Sequence, residues 1–185
     1  MQELLRPKEG WEVKGLGDIS HIQTGSKNNQ DKVGDGVYPF FVRSQTVEKI
    51  NTYSYDCEAI LIPGEGGIGS IFHYINGKFD VHQRVYKISQ FSEEVSGKFI
   101  FEYLKMNFYD HAMKNSVKAT VDSLRLPTFK EFEITFPTIE EQISIARILS
   151  TMDNEIEQLE QKLSKYQRVK QGMMQQLLTG KIRLV

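Results

Sequence analysis

The sequence holds little of what most readily identified activities require. A single cysteine, Cys57, rules out an internal disulfide framework and argues for a reducing compartment. The four histidines (His21, His73, His82, His111) show no metal-ligand spacing with Cys57 or with one another, so no metal site is expected. There is no phosphate-binding Walker motif, no Asn-Pro-Pro-aromatic or Asp-Pro-Pro-aromatic tetrapeptide and no nuclease-like carboxylate–Glu-x-Lys cluster. Nothing reads as a catalytic constellation or as a demand for a cofactor. No apolar run approaches a membrane span, and residues 1–25 lack the apolar core of a signal peptide, so a cytoplasmic protein with no membrane partner is expected. Excess charge is missing too. The formal net charge is −1, with 16 Lys and Arg against 18 Asp and Glu over residues 1–137 and a net of +1 in the tail. A global basic signature is excluded, and any nucleic-acid contact has to come from a local patch.

What is present is organised around the last quarter of the chain. Thr138 stands three residues before Glu141, a capping box for a helix start. Apolar residues then recur at Ile145, Leu149, Met152, Ile156, Leu159, Leu163 and Tyr166, with spacings alternating four and three. That is the 3.5-residue period of a coiled-coil seam. The stripe continues through Val169, Met173 and Leu177 with a slipped period, and Gly180 sits where a C-terminal cap belongs. The acids of this tail (Glu140, Glu141, Asp153, Glu155, Glu157, Glu160) all precede Gln161. Six of its seven basic residues (Lys162, Lys165, Arg168, Lys170, Lys181, Arg183) follow it. A solvated helix obeying its dipole would show that polarity. So would an antiparallel pair of identical helices, each acidic half facing a basic half, and homodimerisation through this seam is the sharper expectation.

Residues 1–136 read as an α+β head. A short strand, a helical turn near Leu16-Gly-Asp-Ile19 and a second strand are expected over 11–24, then a polar loop over 25–36. Strands are expected at 37–42, 57–62, 71–74, 78–81 and 84–88, with Asn76-Gly77 as a tight turn. Helical spacing covers 95–113; a brief helix near 127–132 and a strand at 133–136 lead to the boundary at Pro137 and the second domain, 137–185.

Within the head, Gly64-Glu-Gly-Gly-Ile-Gly69 has the spacing of a dinucleotide-binding loop, but the β-branched and aromatic run after it argues against the helix such a site needs. A bare structural turn and a loop that lets the backbone of Gly66 and Gly67 approach a partner are the competing readings. Arg43-Ser44-Gln45 and His82-Gln83-Arg84 fall at strand ends and supply Arg and Gln, the side chains that read guanine and adenine edges bidentately. Solvated strand ends would look the same. Lys27, Asn28 and Asn29, with Lys114, Lys118 and Thr120, lie in acid-free clusters suited to phosphate contacts, as ordinary exposed loops also are.

These residues bear a family resemblance. Pro137-Thr-Ile-Glu-Glu-Gln-Ile-Ser-Ile-Ala-Arg-Ile-Leu-Ser-Thr-Met-Asp153 resembles the conserved helix that follows a target recognition domain in specificity subunits of type I restriction–modification systems. Lys170-Gln-Gly-Met-Met-Gln-Gln-Leu-Leu-Thr-Gly-Lys-Ile-Arg183 is similar to the end of that helix. Trp11 with Leu16-Gly-Asp-Ile19, Tyr38-Pro-Phe-Phe41, Ala59-Ile-Leu-Ile62, the glycine loop, Phe79-Asp-Val-His-Gln-Arg84 and Ser123-Leu-Arg125 look like the recognition domain. The resemblance implies a mixed-sheet DNA target recognition domain followed by a long helix that pairs as an antiparallel coiled coil. It implies a non-catalytic chain that binds double-stranded DNA and lends its specificity to modification (methyltransferase) and restriction (motor-nuclease) subunits. Family members carry two recognition domains and two helices; this sequence has one of each. A half-length subunit that homodimerises is the expectation, with a truncated gene or cloned fragment as the alternative. A coiled-coil protein whose head binds another protein is the rival from a different class.

Overall fold

The computed structural model describes Leu5 and residues 8–116 and 123–180. The chain divides into two compact units, 1–146 and 147–185. The first is an α+β head with a mixed sheet, and the helix that begins in it runs on through the second.

In chain order the elements are β1 (Glu12–Gly15), α1 (Leu16–Ile19), β2 (His21–Thr24), a 3-10 turn (Asn29–Asp31), β3 (Tyr38–Phe41), β4 (Glu48–Ile50), β5 (Tyr55–Pro63), β6 (His73–Val81), β7 (Val85–Ser89), α2 (Gly97–Asn115), α3 (Leu126–Lys130), β8 (Glu133–Phe136) and α4 (Ile139–Leu178). Six strands form one sheet in the order β2-β7-β5-β6-β3-β4, while β1 and β8 make a separate two-stranded ribbon. The pair β3–β6 is parallel; the other named pairs are antiparallel.

Two expectations need correcting. The strands expected at 71–74 and 78–81 are parts of one nine-residue strand, β6, which starts at His73. Asn76-Gly77 is no turn: Glu58 pairs with Asn76 and Cys57 with Gly77, so long-range pairing with β5 overrides the local signal. Gly77 still uses its freedom, at φ +144°, inside the strand. The edge strand β4 carries no strand signal in the sequence, being only three residues with two charges.

β5 is central and buried on both faces, as its apolar run requires: Ile60, Leu61 and Ile62 are fully inaccessible. Ala59 and Leu61 join Phe41, Phe79, Val81 and Val85 in one cluster. α2 supplies Phe99, Ile100, Leu104 and Phe108, all buried. The Phe108 ring lies 5.2 Å from that of Phe129 and 5.1 Å from that of Phe132, tying α2 to α3 and the residues leading into β8. Burying each such side chain contributes about 1.5–3 kcal/mol.

The first turns of α4 belong to the head. Gln142 is fully buried. Its Oε1 accepts the Ser96 N–H at 2.9 Å, and its Nε2 donates to the carbonyls of Glu94 and Pro137, each at 2.9 Å. Gln142→Leu would take the hydrogen-bond partner from three backbone groups at once, that of Pro137 buried. A loss of about 2–5 kcal/mol in head stability is expected, read as a lowered denaturant midpoint at unchanged slope.

Along α4, Ile145 and Leu149 are buried within the single chain. The exposed part of the stripe begins at Met152. It runs through Ile156, Leu159, Leu163, Tyr166, Val169 and Met173, with Leu177 half-buried. Among the described residues, no helix is long and apolar enough to cross a membrane.

Candidate nucleic-acid interface

Four segments far apart in sequence meet at one end of the main sheet. They are the stretch after β2, the β3–β4 loop, the β5–β6 loop and the β6–β7 turn. Backbone bonds lock them together. Lys27 bridges His82 in parallel fashion; the Gln83 N–H donates to the Lys27 carbonyl at 2.8 Å and the His82 N–H to the Phe41 carbonyl at 2.9 Å. The Gly64 N–H donates to the Arg84 carbonyl at 2.8 Å. Gly66, Gly67 and Gly69 sit at φ +69°, +68° and +66°, a left-handed run that only glycine adopts without strain. A strand follows this loop rather than a helix, so it has no helix N-terminus for a pyrophosphate.

Between these segments lies a cleft of about 390 Å³ lined by Asn29, Arg43, Ser44, Glu65, Gly66 and His82, among others. Four of the expected groups therefore converge: Asn29, Arg43 with Ser44, Gly66 and His82. Arg43 and Arg84, from different loops, each direct Nη1 to one carboxylate: Arg84 to Glu65 Oε1 at 3.0 Å and Arg43 to Glu65 Oε2 at 3.2 Å. The Gln83 amide donates to Asn28 Oδ1, and the Asn28 N–H donates to the Asp31 carboxylate at 2.7 Å. Ser44 closes its own turn through the Thr46 carbonyl, and its carbonyl is bonded to His73 at 3.0 Å. Gln45 is exposed, as is Gly67 on the rim loop.

His82 sits at the floor, buried. Its Nδ1 accepts the Arg84 N–H at 3.0 Å, which fixes the neutral tautomer with the proton on Nε2. Burial, then the positive charges of Arg43 and Arg84, push its pKa below the ordinary imidazole value. The folded head thus prefers neutral His82, while the unfolded chain binds a proton below about pH 6.5. Stability from this group is fully present above that pH and declines as pH falls through it toward the folded value. Denaturation midpoints taken between about pH 7.5 and pH 5.5 should show this decline, and His82→Gln should flatten it.

The other candidates are placed less favourably. Lys27 is half-buried, its ammonium 3.9 Å from the buried Asp80 carboxylate, which also accepts the Thr52 hydroxyl at 2.8 Å. Lys114 is exposed in the last turn of α2 and does not line the cleft. Lys118 and Thr120 lie outside the described residues. Glu65 and Asp80 are functional candidates that sequence reasoning misses. Glu65 carries a faint signal, as the sole acid within a glycine loop, but only the fold reveals the two arginines that flank it in space. Among the described residues, no group of His, Cys, Asp and Glu could hold a metal ion.

Residues 8–166 match the family model described as the type I restriction modification DNA specificity domain. The chain belongs to that family. Two curated specificity subunits are similar to it. The type I restriction enzyme EcoDI specificity subunit of Escherichia coli is 28% identical over 91% of this chain and 37% of its own length. The MjaVIII specificity subunit of Methanocaldococcus jannaschii is 27% identical over 95% of this chain and 43% of its own length. The specificity-domain chain therefore spans less than half the length of these curated relatives. Its fold is that of the S subunit of a type I restriction-modification system from M. genitalium, at TM-score 0.72 and 18% identity over 94% of this chain and 47% of that one. The HsdS subunit from Thermoanaerobacter tengcongensis aligns at TM-score 0.62 and 14% identity, covering 92% and 45%.

Proposed function

We propose that the chain is a DNA sequence-specificity subunit that reads one half-site with its head and homodimerises through α4. The observation that carries this reading is the convergence of Arg43, His82, Gln83, Arg84 and Asn28 from separate loops at one sheet end. Arg and Gln suit base edges; Ser, Asn and Lys suit phosphates. Arg43, Ser44, Gln45 and His82-Gln83-Arg84 are assigned to the reading face, with Gly66 and Gly67 allowing close backbone approach. Asn28, Asn29, Lys114, Lys118 and Thr120 are assigned to the backbone side; Lys27 contributes there only after leaving Asp80. The chain neither cuts nor methylates DNA. It delivers specificity to methyltransferase and motor-nuclease partners, which supply the S-adenosylmethionine and ATP chemistry, in the cytoplasm.

The unpartnered stripe on α4 supports self-pairing. An antiparallel pair with its dyad at Gln161 sets Leu159 against Leu163 and Ile156 against Tyr166. The same dyad sets Glu160 against Lys162 and Glu157 against Lys165. Apolar and charge complementarity thus share one register.

The test is DNA affinity as a function of salt. Phosphate contacts release counterions, so log K should fall by about 0.9 per decade of salt for each phosphate neutralised. A salt-insensitive chain that captures no duplex DNA would favour a head that binds protein instead.

A further inference from the structure

We propose that Glu65 is a specificity-determining positioning residue. It holds Arg43 and Arg84 ready for base contact and penalises their use on phosphates alone. The inference rests on the DNA reading above and extends it to a residue outside the expected reading set.

Glu65 is firmly placed. It pairs as an isolated bridge with Ser123, and its neighbour Gly64 is bonded on both sides, donating to the Arg84 carbonyl and accepting from Leu124, each at 2.8 Å. Its side chain is 21% exposed, against 47% for Arg43 and 58% for Arg84. A semi-buried anion on a fixed frame thus gathers two exposed cations from two other loops.

The geometry splits the guanidinium donors. Each arginine gives Glu65 one contact through Nη1, on its own carboxylate oxygen. The Nε–Nη2 edge of each has no hydrogen-bond partner among the described residues, and that edge can make the bidentate contact to guanine N7 and O6. A base edge can therefore be read without breaking either ion pair, and with less side-chain freedom left to lose. A phosphate approaching the same two arginines meets a carboxylate between them and gains from at most one net charge. The carboxylate thus lowers affinity for DNA in general more than for the right bases, which is how a counter-ion creates specificity.

The experiment compares wild type, Glu65→Gln, Arg84→Ala and the double variant. Each is titrated at several salt concentrations against random duplex DNA and against the duplex that wild type enriches from a random-sequence pool. Gln keeps the shape of the side chain and removes its charge; thermal melts check that each head is folded. Glu65→Gln should bind random DNA about 3- to 10-fold more tightly, with a salt slope steeper by about 0.9. Its preference for the enriched sequence should fall about 10-fold or more. In the Arg84→Ala background the same substitution should have less than half that effect on a logarithmic scale, because the two residues act together.

Two results overturn the proposal: a preference within about twofold of wild type in Glu65→Gln, or an undiminished effect in the Arg84→Ala background. Either result, obtained while Arg84→Ala alone still loses enriched-sequence affinity, removes the role of Glu65 and leaves the DNA reading standing. A wild-type chain that enriches no sequence removes both.

Discussion

Leu159→Asp is expected to turn a dimer into a monomer and to cost about 100-fold or more in affinity for the full target. The residue is 58% exposed in the single chain, within a stripe of exposed apolar residues that starts at Met152. α4 spans 40 residues, about 60 Å at 1.5 Å per residue. A rod of that length with a one-sided apolar face gains from pairing, since each leucine-sized side chain taken from water contributes about 1.5–3 kcal/mol. With the dyad at Gln161, the two introduced carboxylates would lie about 6 Å apart along the axis, both facing leucine. Burying like charges there is strongly unfavourable. Because the head's own core ends before this point, its unfolding transition should not move. Sedimentation at tens of micromolar reads the first effect, and thermal melting checks the second. A variant that remains dimeric would show that α4 is not the pairing element.

Arg84→Ala and Arg43→Ala are each expected to weaken binding to one half-site by about 1–3 kcal/mol, and twice that for a two-fold target. Loss on random DNA should be much smaller. Arg84→Lys should not rescue, because a lysine cannot supply the two-pronged edge. Lys118→Ala, a phosphate-side candidate, should instead weaken cognate and random duplexes alike. Unchanged cognate affinity in Arg43→Ala, Arg84→Ala and Lys118→Ala together would mean that the reading face lies elsewhere. Competition titrations against the enriched duplex and a scrambled one separate these outcomes.

Local signals carry much of the head. The strand–turn–strand over 11–24, the helix Gly97–Asn115 and the strand Glu133–Phe136 are legible from periodicity and glycine placement. Where the sequence misleads, tertiary pairing is stronger than a local preference. Asn76-Gly77 has the composition of a hairpin turn, yet seven cross-strand partners on β5 carry the chain straight through it. Lys87 gives no sign in the sequence of being buried; its ammonium reaches Ser89 and lies 4.7 Å over the Tyr55 ring, in surroundings that lower its pKa by desolvation. The seam reads as uniform, but its first two members, Ile145 and Leu149, are buried within the chain. Periodicity reports which face of a helix is apolar and says nothing of what covers it.

The candidate site is half legible for a similar reason. Arg43, His82 and Arg84 can be picked out as polar residues at strand ends. Their convergence depends on the order β5-β6-β3, in which the parallel pair β3–β6 brings the ends of β3 and β6 side by side. No local pattern encodes that neighbourhood, and so the carboxylate shared by two arginines could not be inferred. Asp80 is the same case: an alternating-strand position that turns out fully buried, held by Thr52 and Lys27.

The most direct measurement is to select duplexes from a random-sequence pool with the intact chain and read the enriched sequences. Two identical heads related by a two-fold axis meet their half-sites in inverted orientation. The expected result is an interrupted palindrome whose half-site centres lie about one helical turn, roughly 34 Å, apart, with unread bases between them. A single uninterrupted asymmetric site, or no enrichment at all, would contradict it.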